Sequence, residues 1–180
     1  HLMHAIGNEA VKKNPHLNVV VVTSERFTLD FVNSLRKNKT IEFAQQYRSA
    51  DMLLIDDVQF FRGKEQTQEQ FFHTFNELYT NGKQIVMTAD RYPGEMVGLQ
   101  DRLLSRFESG LHADIQPPDF ETRVAILSTK AKQNNMQIEG SHLEKIASHV
   151  RTNIRDLESC VTKIFAHATL SGDKINEALV

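Results

Sequence analysis

A chain of 180 residues, 40% hydrophobic and 24% charged, has the make-up of one or two globular domains with a buried core, and no run approaches the ~20 apolar residues of a membrane helix. A net charge of −2, with Lys and Arg scattered along the chain, excludes a bulk electrostatic footprint for nucleic acid, so any DNA contact must be local. The lone Cys160 excludes an internal disulfide, and without a signal-peptide pattern a cytoplasmic location is expected.

Leu2, Ile6 and Ala10 recur at helical spacing with no N-cap ahead of them, so the helix is expected to have its entry turn upstream of His1. Pro15 closes this region. Val19 to Val22 is a β-branched run that reads as a buried strand. Phe27, Phe31 and Leu35 predict an amphipathic helix that closes by Asn38, and a short helix covers Ile41 to Tyr47. Residues 52 to 57, Met-Leu-Leu-Ile-Asp-Asp, form a second buried strand stopped by two carboxylates. A turn at Phe60 to Gly63 leads to a helix carrying Phe71, Phe75 and Leu78, with Gly82 as its stop. Gln84 to Thr88 is a third strand. A loop with Pro93, Gly94 and Gly98 precedes a short helix over Asp101 to Phe107, and Leu111 to Ile115 predicts a last strand. Strands alternating with helices specify βαβ units on a parallel sheet.

After Pro117-Pro118 the pattern becomes helical. Asp119 caps a helix bearing Phe120, Val124, Leu127 and Ala131; Ser141 with Glu144 forms a capping box for Leu143, Ile146 and Val150. Asn153 caps a third helix, with Ile154, Leu157, Val161, Ile164 and Ala168 on one stripe and Arg155 outside it. Cys160 falls on the apolar side and reads as a small core residue. The expected organisation is an α/β base over residues 1–116 and a small three-helix lid over 117–180.

The chemistry is concentrated at strand and helix ends. Ligands of parallel sheets sit outside the carboxyl ends of the strands, where Asp56 and Asp57 could hold a metal-bound water and polarise an attacking one; the plainer reading is that they cap a turn. Asp90 follows the next strand and shares this crest if the two strands are neighbours; otherwise it caps a loop. Arg102 and Arg106 stand at i and i+4, with Leu103 and Phe107 on the packing side; the plainer reading is a solvated basic face. Arg155 occupies a first helical turn, where the macrodipole disfavours a cation, so it calls for an anionic partner, either a ligand or a nearby acid such as Glu158. The histidines, including His1 with His4 and His142 with His149, lack zinc spacing, and no Gly-x-Ser-x-Gly elbow or Cys/His nucleophile context is present. Phe71, Phe72 and Phe75 have the spacing of a packed helix face rather than of a base-stacking platform.

Nearly the whole chain resembles the AAA+ domain of bacterial replication initiators of the DnaA family. The segments that carry this are His1 to Gly7 (HLMHAIG), Leu53 to Phe61 (LLIDDVQFF), Lys64 to Asn76 (KEQTQEQFFHTFN), Ala89 to Pro93 (ADRYP), Asp101 to Phe107 (DRLLSRF), Ile115 to Leu127 (IQPPDFETRVAIL) and Asn153 to Glu158 (NIRDLE). The resemblance implies a P-loop NTPase-like parallel sheet, ATP or ADP with Mg²⁺ as cofactors, and nucleotide-switched assembly into a filament that opens origin DNA. It implies as partners single-stranded DNA in the filament channel and a replicative helicase or its loader.

By the same resemblance Asp56 and Asp57 match the Walker B pair, as Mg²⁺-water ligand and water-polarising acid. Asp90 matches sensor I, Arg106 the arginine finger that reaches a neighbour's ATP, Arg102 its companion, and Arg155 the sensor II arginine. Val32 and Lys64 lie in stretches whose counterparts hold single-stranded DNA; Gln66 is neutral where some relatives are basic. The family's phosphate loop would stand immediately before His1 and its helix-turn-helix domain after the lid. Without that loop these residues alone are expected to bind ATP poorly. A helicase loader or adaptor of the same fold, and a non-catalytic interaction module, are the alternative functions. Asp57, one methylene shorter than the Glu of most AAA+ motors, predicts slow turnover suited to a switch.

Overall fold

The computed structural model describes residues 2–134, 136, 138–151 and 153–171, with side chains at 168, 169 and 171 outside that set. His1 and the packing of Ala168 therefore lie outside the described residues. Contacts divide the chain into two compact units, His1–His112 and Ala113–Val180.

In the first unit the apolar runs become a parallel sheet in the order β1 (Val19–Thr23), β2 (Met52–Asp56), β3 (Gln84–Met87). Leu53, Leu54 and Ile55 of β2 are fully buried because β2 is central and covered on both faces. The register pairs Thr23 with Asp56 and Ile55 with Met87, which aligns the carboxyl ends of all three strands. Around the sheet lie α1 (Leu2–Lys13), α2 (Ser24–Arg36), α3 (Thr40–Arg48), α4 (Glu65–Thr80) and α5 (Asp101–Glu108). α1 crosses the sheet closely at Gly7, where a Cβ would come within 3.0 Å of Leu54 Cδ1. Thr23 caps α2 by accepting from the Arg26 amide at 3.1 Å. Gly82, at φ +66°, follows the Asn81 cap of α4 and takes the left-handed conformation that suits glycine.

The core of this unit is aromatic. Phe27 touches Phe43, Tyr47, Phe61 and Phe71, with ring centroids 4.7 to 5.8 Å apart and mostly edge-on, the arrangement that ring quadrupoles favour. Phe71 and Phe75 are buried there, and half-buried Phe72 packs against the same core, so the α4 phenylalanines are packing residues.

The strand expected at Leu111 to Ile115 does not form. Residues 111–119 run as irregular coil, with Leu111 99% and Ile115 69% exposed. Apolar alternation supplies a strand's face but not its ladder, and no described strand pairs with this segment.

The second unit contains α6 (Phe120–Gln133), α7 (Gly140–His149) and α8 (Ile154–Ser171) around an aliphatic core centred on Leu127, Ile146, Ala147, Leu157 and Val161. Asp119 accepts from the Thr122 amide at 2.8 Å and Asn153 from the Asp156 amide at 2.8 Å, so both caps form. The Thr122 side chain, and with it the Thr122 amide, holds the Asp119 carboxyl below the usual range. The Ser141 capping box does not form: α7 begins at Gly140, Glu139 holds the cap position without a side-chain bond, and Ser141 falls inside the first turn. Cys160 is half-buried against this core, and burial raises its thiol pKa.

Candidate functional site

β2 delivers Asp56 as its last residue, and the chain then turns sharply: Asp57 adopts φ 59°, ψ 52° before a 3₁₀ turn at Val58–Phe61. This left-handed conformation costs roughly 1–2 kcal/mol for an ordinary residue and is best tolerated by Asp and Asn. The surroundings hold it in place. The Asp57 amide donates to Thr88 Oγ1 at 2.9 Å, its carbonyl accepts from Ser24 Oγ at 2.6 Å, and its Oδ1 accepts from Gln59 Nε2 at 3.1 Å. The Val58 amide donates to the Thr88 carbonyl at 3.0 Å. Thr88 Oγ1 in turn donates to Asp56 Oδ1. Ser24 is fully buried, and both acids are half-buried.

Thr88, Ser24 and Gln59 thus belong to the carboxylate crest, and none is singled out by a sequence pattern. The one available signal was register: pairing Ile55 with Met87 sets residue 88 beside residue 56.

Asp90 lies three residues beyond β3, exposed, and forms a two-pronged pair with Arg91 at 2.9 and 2.8 Å. The Arg91 guanidinium holds its carboxyl below the usual range. Here Thr88, rather than Asp90, touches Asp56.

Arg102 and Arg106 lie one residue round α5 from Leu103 and Phe107, which are buried. Both guanidiniums rest on aromatic rings of α4: Arg102 is 4.7 Å from the Phe72 centroid and Arg106 5.7 Å from that of Tyr79. Arg102 Nε also donates to Gln100 Oε1 at 2.8 Å. The start of α5 is tied to α4 through Gln68, 1% exposed. Its amide donates to the carbonyls of Phe61 at 2.9 Å and Gly98 at 3.1 Å, while its Oε1 accepts from the Gln100 amide at 2.8 Å.

Val32 is half-buried on α2. Lys64 is half-buried at the head of α4, where its carbonyl accepts from the Gln68 amide at 2.9 Å; Gln66 is exposed. In the second unit Arg155 is exposed in the first turn of α8, and Glu158 is engaged by Lys130 at 2.9 Å.

Among the described residues no group of three or more His, Cys, Asp or Glu side chains could hold a metal ion. Two adjacent half-buried carboxylates at a strand end nevertheless suit Mg²⁺, which is held by one or two acids together with waters and phosphate oxygens. The donor set fits a metal that arrives with a nucleotide. Among the described residues no helix is long and apolar enough to cross a membrane.

Residues 1–114 match the family model of the bacterial DnaA ATPase domain. The structure resembles domain III of the Thermotoga maritima replication initiation protein DnaA, with a TM-score of 0.94 and 41% identity over 98% of this chain and 74% of that one. It also resembles a replication initiator DnaA bound to AMPPCP and single-stranded DNA (TM-score 0.81, 37% identity, 96% of this chain and 54% of that one). A third relative is AMPPCP-bound DnaA from Aquifex aeolicus (TM-score 0.80, 38% identity, 96% and 52%). The chain spans about half the length of the last two.

Proposed function

The chain belongs to the bacterial DnaA ATPase-domain family, and from that premise we propose that it is the AAA+ nucleotide-switch core of a chromosomal replication initiator. The observation that carries the reading is the carboxylate crest: Asp56 and Asp57 are fixed at the end of the central parallel strand, where a fold of this kind presents ligands. Relatives bound to AMPPCP support ATP and ADP as the nucleotides.

In this reading Asp56 holds the water shell of Mg²⁺ and Asp57 orients the attacking water. The metal, when bound with the nucleotide, supplies charge stabilisation at the phosphates. Asp90 acts as sensor I, and Arg155 as the lid arginine that contacts the terminal phosphate. Arg106 completes the site of a neighbouring subunit with Arg102 beside it, so ATP bridges subunits into a filament. Val32 and Lys64 hold single-stranded DNA, a reading supported by the relative that carries it, and the helicase or its loader joins the assembled state. Asp57 reaches less far than a Glu, so turnover stays well below the enzyme median of about 10 s⁻¹. ATP and ADP then select between assembly states instead of driving a stroke.

The test is assembly of the full-length protein on single-stranded DNA. With ATP the protein is expected to form multimers that shield the strand, and with ADP to remain dispersed. Equal assembly in both states would sink the switch, and absence of any nucleotide binding would leave a non-catalytic interaction module.

A further inference from the structure

The hydroxyl of Thr88 lies between the two acids of the crest and bonds to both residues. The direction of each bond follows from chemistry alone. A backbone N–H can only donate, so Thr88 Oγ1 accepts from Asp57 at 2.9 Å. The single hydroxyl proton is thereby left for Asp56 Oδ1, the nearer carboxylate oxygen, in a charge-assisted bond. Three features make this arrangement stiff. Thr88 is β-branched, which restricts its χ1. Its own backbone is anchored on both sides, the amide donating to the Ile55 carbonyl at 3.1 Å and the carbonyl accepting from Val58 at 3.0 Å. Ser24, fully buried, donates to the Asp57 carbonyl at 2.6 Å and so holds the next peptide group as well.

We propose that Thr88 is a positioning residue for the proposed nucleotide chemistry: its hydroxyl fixes the plane of the Asp56 carboxylate and the left-handed turn at Asp57, so that both acids are oriented before Mg²⁺ and nucleotide arrive. The inference rests on the reading of Asp56 and Asp57 as a metal and nucleotide site. Without the hydroxyl the Asp56 carboxylate is free to rotate about its side-chain torsions and the Asp57 amide loses its acceptor. Holding an acid in its working orientation removes from the binding step an ordering cost that a mobile carboxylate meets each time.

Two quantities in the full-length protein separate a positioning role from a merely structural one. The first, measured without nucleotide, is hydrogen exchange at the Asp57 amide; the second is the Mg²⁺ concentration that half-saturates ATP turnover. Thr88→Val keeps the shape and removes the hydroxyl. It is expected to speed exchange at Asp57 about fivefold, the worth of one neutral hydrogen bond, and to raise the Mg²⁺ requirement about tenfold, that of one to a charged group. Thr88→Ser is expected to return both to within about threefold of the parent, since the hydroxyl is the active group. If Thr88→Val does not fold, Thr88→Ala is read the same way. An unchanged Mg²⁺ requirement overturns the proposal even where exchange rises, because the hydroxyl would then only brace the turn; so does failure of serine to rescue. Asp56→Asn separates the two levels. If it too leaves the Mg²⁺ requirement unchanged, the site reading itself fails; if it shifts the requirement and Thr88→Val does not, only the role of Thr88 falls.

Discussion

At the carboxyl edge of β2 each acid is held by groups of its own unit: Asp57 through its amide, carbonyl and side chain, and Asp56 through Thr88. On α5 the arginines are held otherwise. Arg102 and Arg106 lie on the rings of Phe72 and Tyr79, a contact worth about 0.5–1 kcal/mol near the surface. Arg155, in the other unit, is exposed at the head of α8. On the proposed reading, the acids that work within one subunit are fixed by directional bonds, whereas the guanidiniums that would reach a neighbour lie on ring faces, Arg102 with a bond to Gln100 besides, contacts that a better anion can displace. The helix bearing Arg102 and Arg106 is nonetheless firmly set, because Gln68 ties its first residues to α4.

The largest expected effect tests the arginine side of this contrast. Arg106→Ala in the full-length protein should lower assembly-stimulated ATP turnover by about 10³-fold, the lower end for an arginine finger, while monomer affinity for ATP stays within about twofold. Phosphate release and filter binding measure the two, and a large loss of monomer affinity would place Arg106 in its own subunit's site. Next in size, Asp56→Asn is expected to reduce turnover about a hundredfold, the scale of a misplaced reacting group, with assembly and monomer alike affected. Should Asp56→Asn spare the isolated monomer, the acid would belong with the arginines and the contrast would collapse.

Gln68→Leu probes the tie between the two regions. It takes the Gln68 donor from the Phe61 and Gly98 carbonyls, which keep the backbone amides of Lys64 and Gly63, and strands the part-buried Gln100 amide, a loss of roughly 1–3 kcal/mol, to be read from urea unfolding. Assembly should weaken through α5 while hydrogen exchange at the Asp57 amide keeps its parental rate; faster exchange there would mean that crest and arginine helix are one network.

The smallest effect concerns Asp90, whose carboxyl the Arg91 guanidinium holds below the ordinary range. A depressed acid contributes stability that is present above its unfolded value of about 3.9 and is lost as pH falls through the lower folded value. Arg91→Ala should move the Asp90 carboxyl back toward that value in a carbon-detected NMR titration. Since both side chains are about half exposed, the stability lost with Arg91→Ala should be small, and its pH dependence should fall below about pH 4. An unmoved carboxyl would show that the pair is not what holds it.

The sequence by itself determined the elements whose cause is local. The run Met52 to Ile55, the four-residue recurrence of Phe27 and Phe31, and the caps at Asp119 and Asn153 depend on residues no more than a turn apart, and they stand where periodicity sets them. Asp56 and Asp57 were legible for the same reason, as carboxylates ending an apolar run. Tertiary structure alone decided the rest. Leu111 to Ile115 has an apolar pattern but no strand, since a strand exists only when another edge completes its ladder. No sequence pattern singles out Gln68, yet it is buried, because two of the backbone groups it satisfies lie 30 and 32 positions away. Ser24 and Thr88 are likewise ordinary until the parallel register brings them 33 and 31 positions across to Asp57. Hydrogen bonds are directional and satisfied in space, so the groups that orient the site can be read only after the strands have paired.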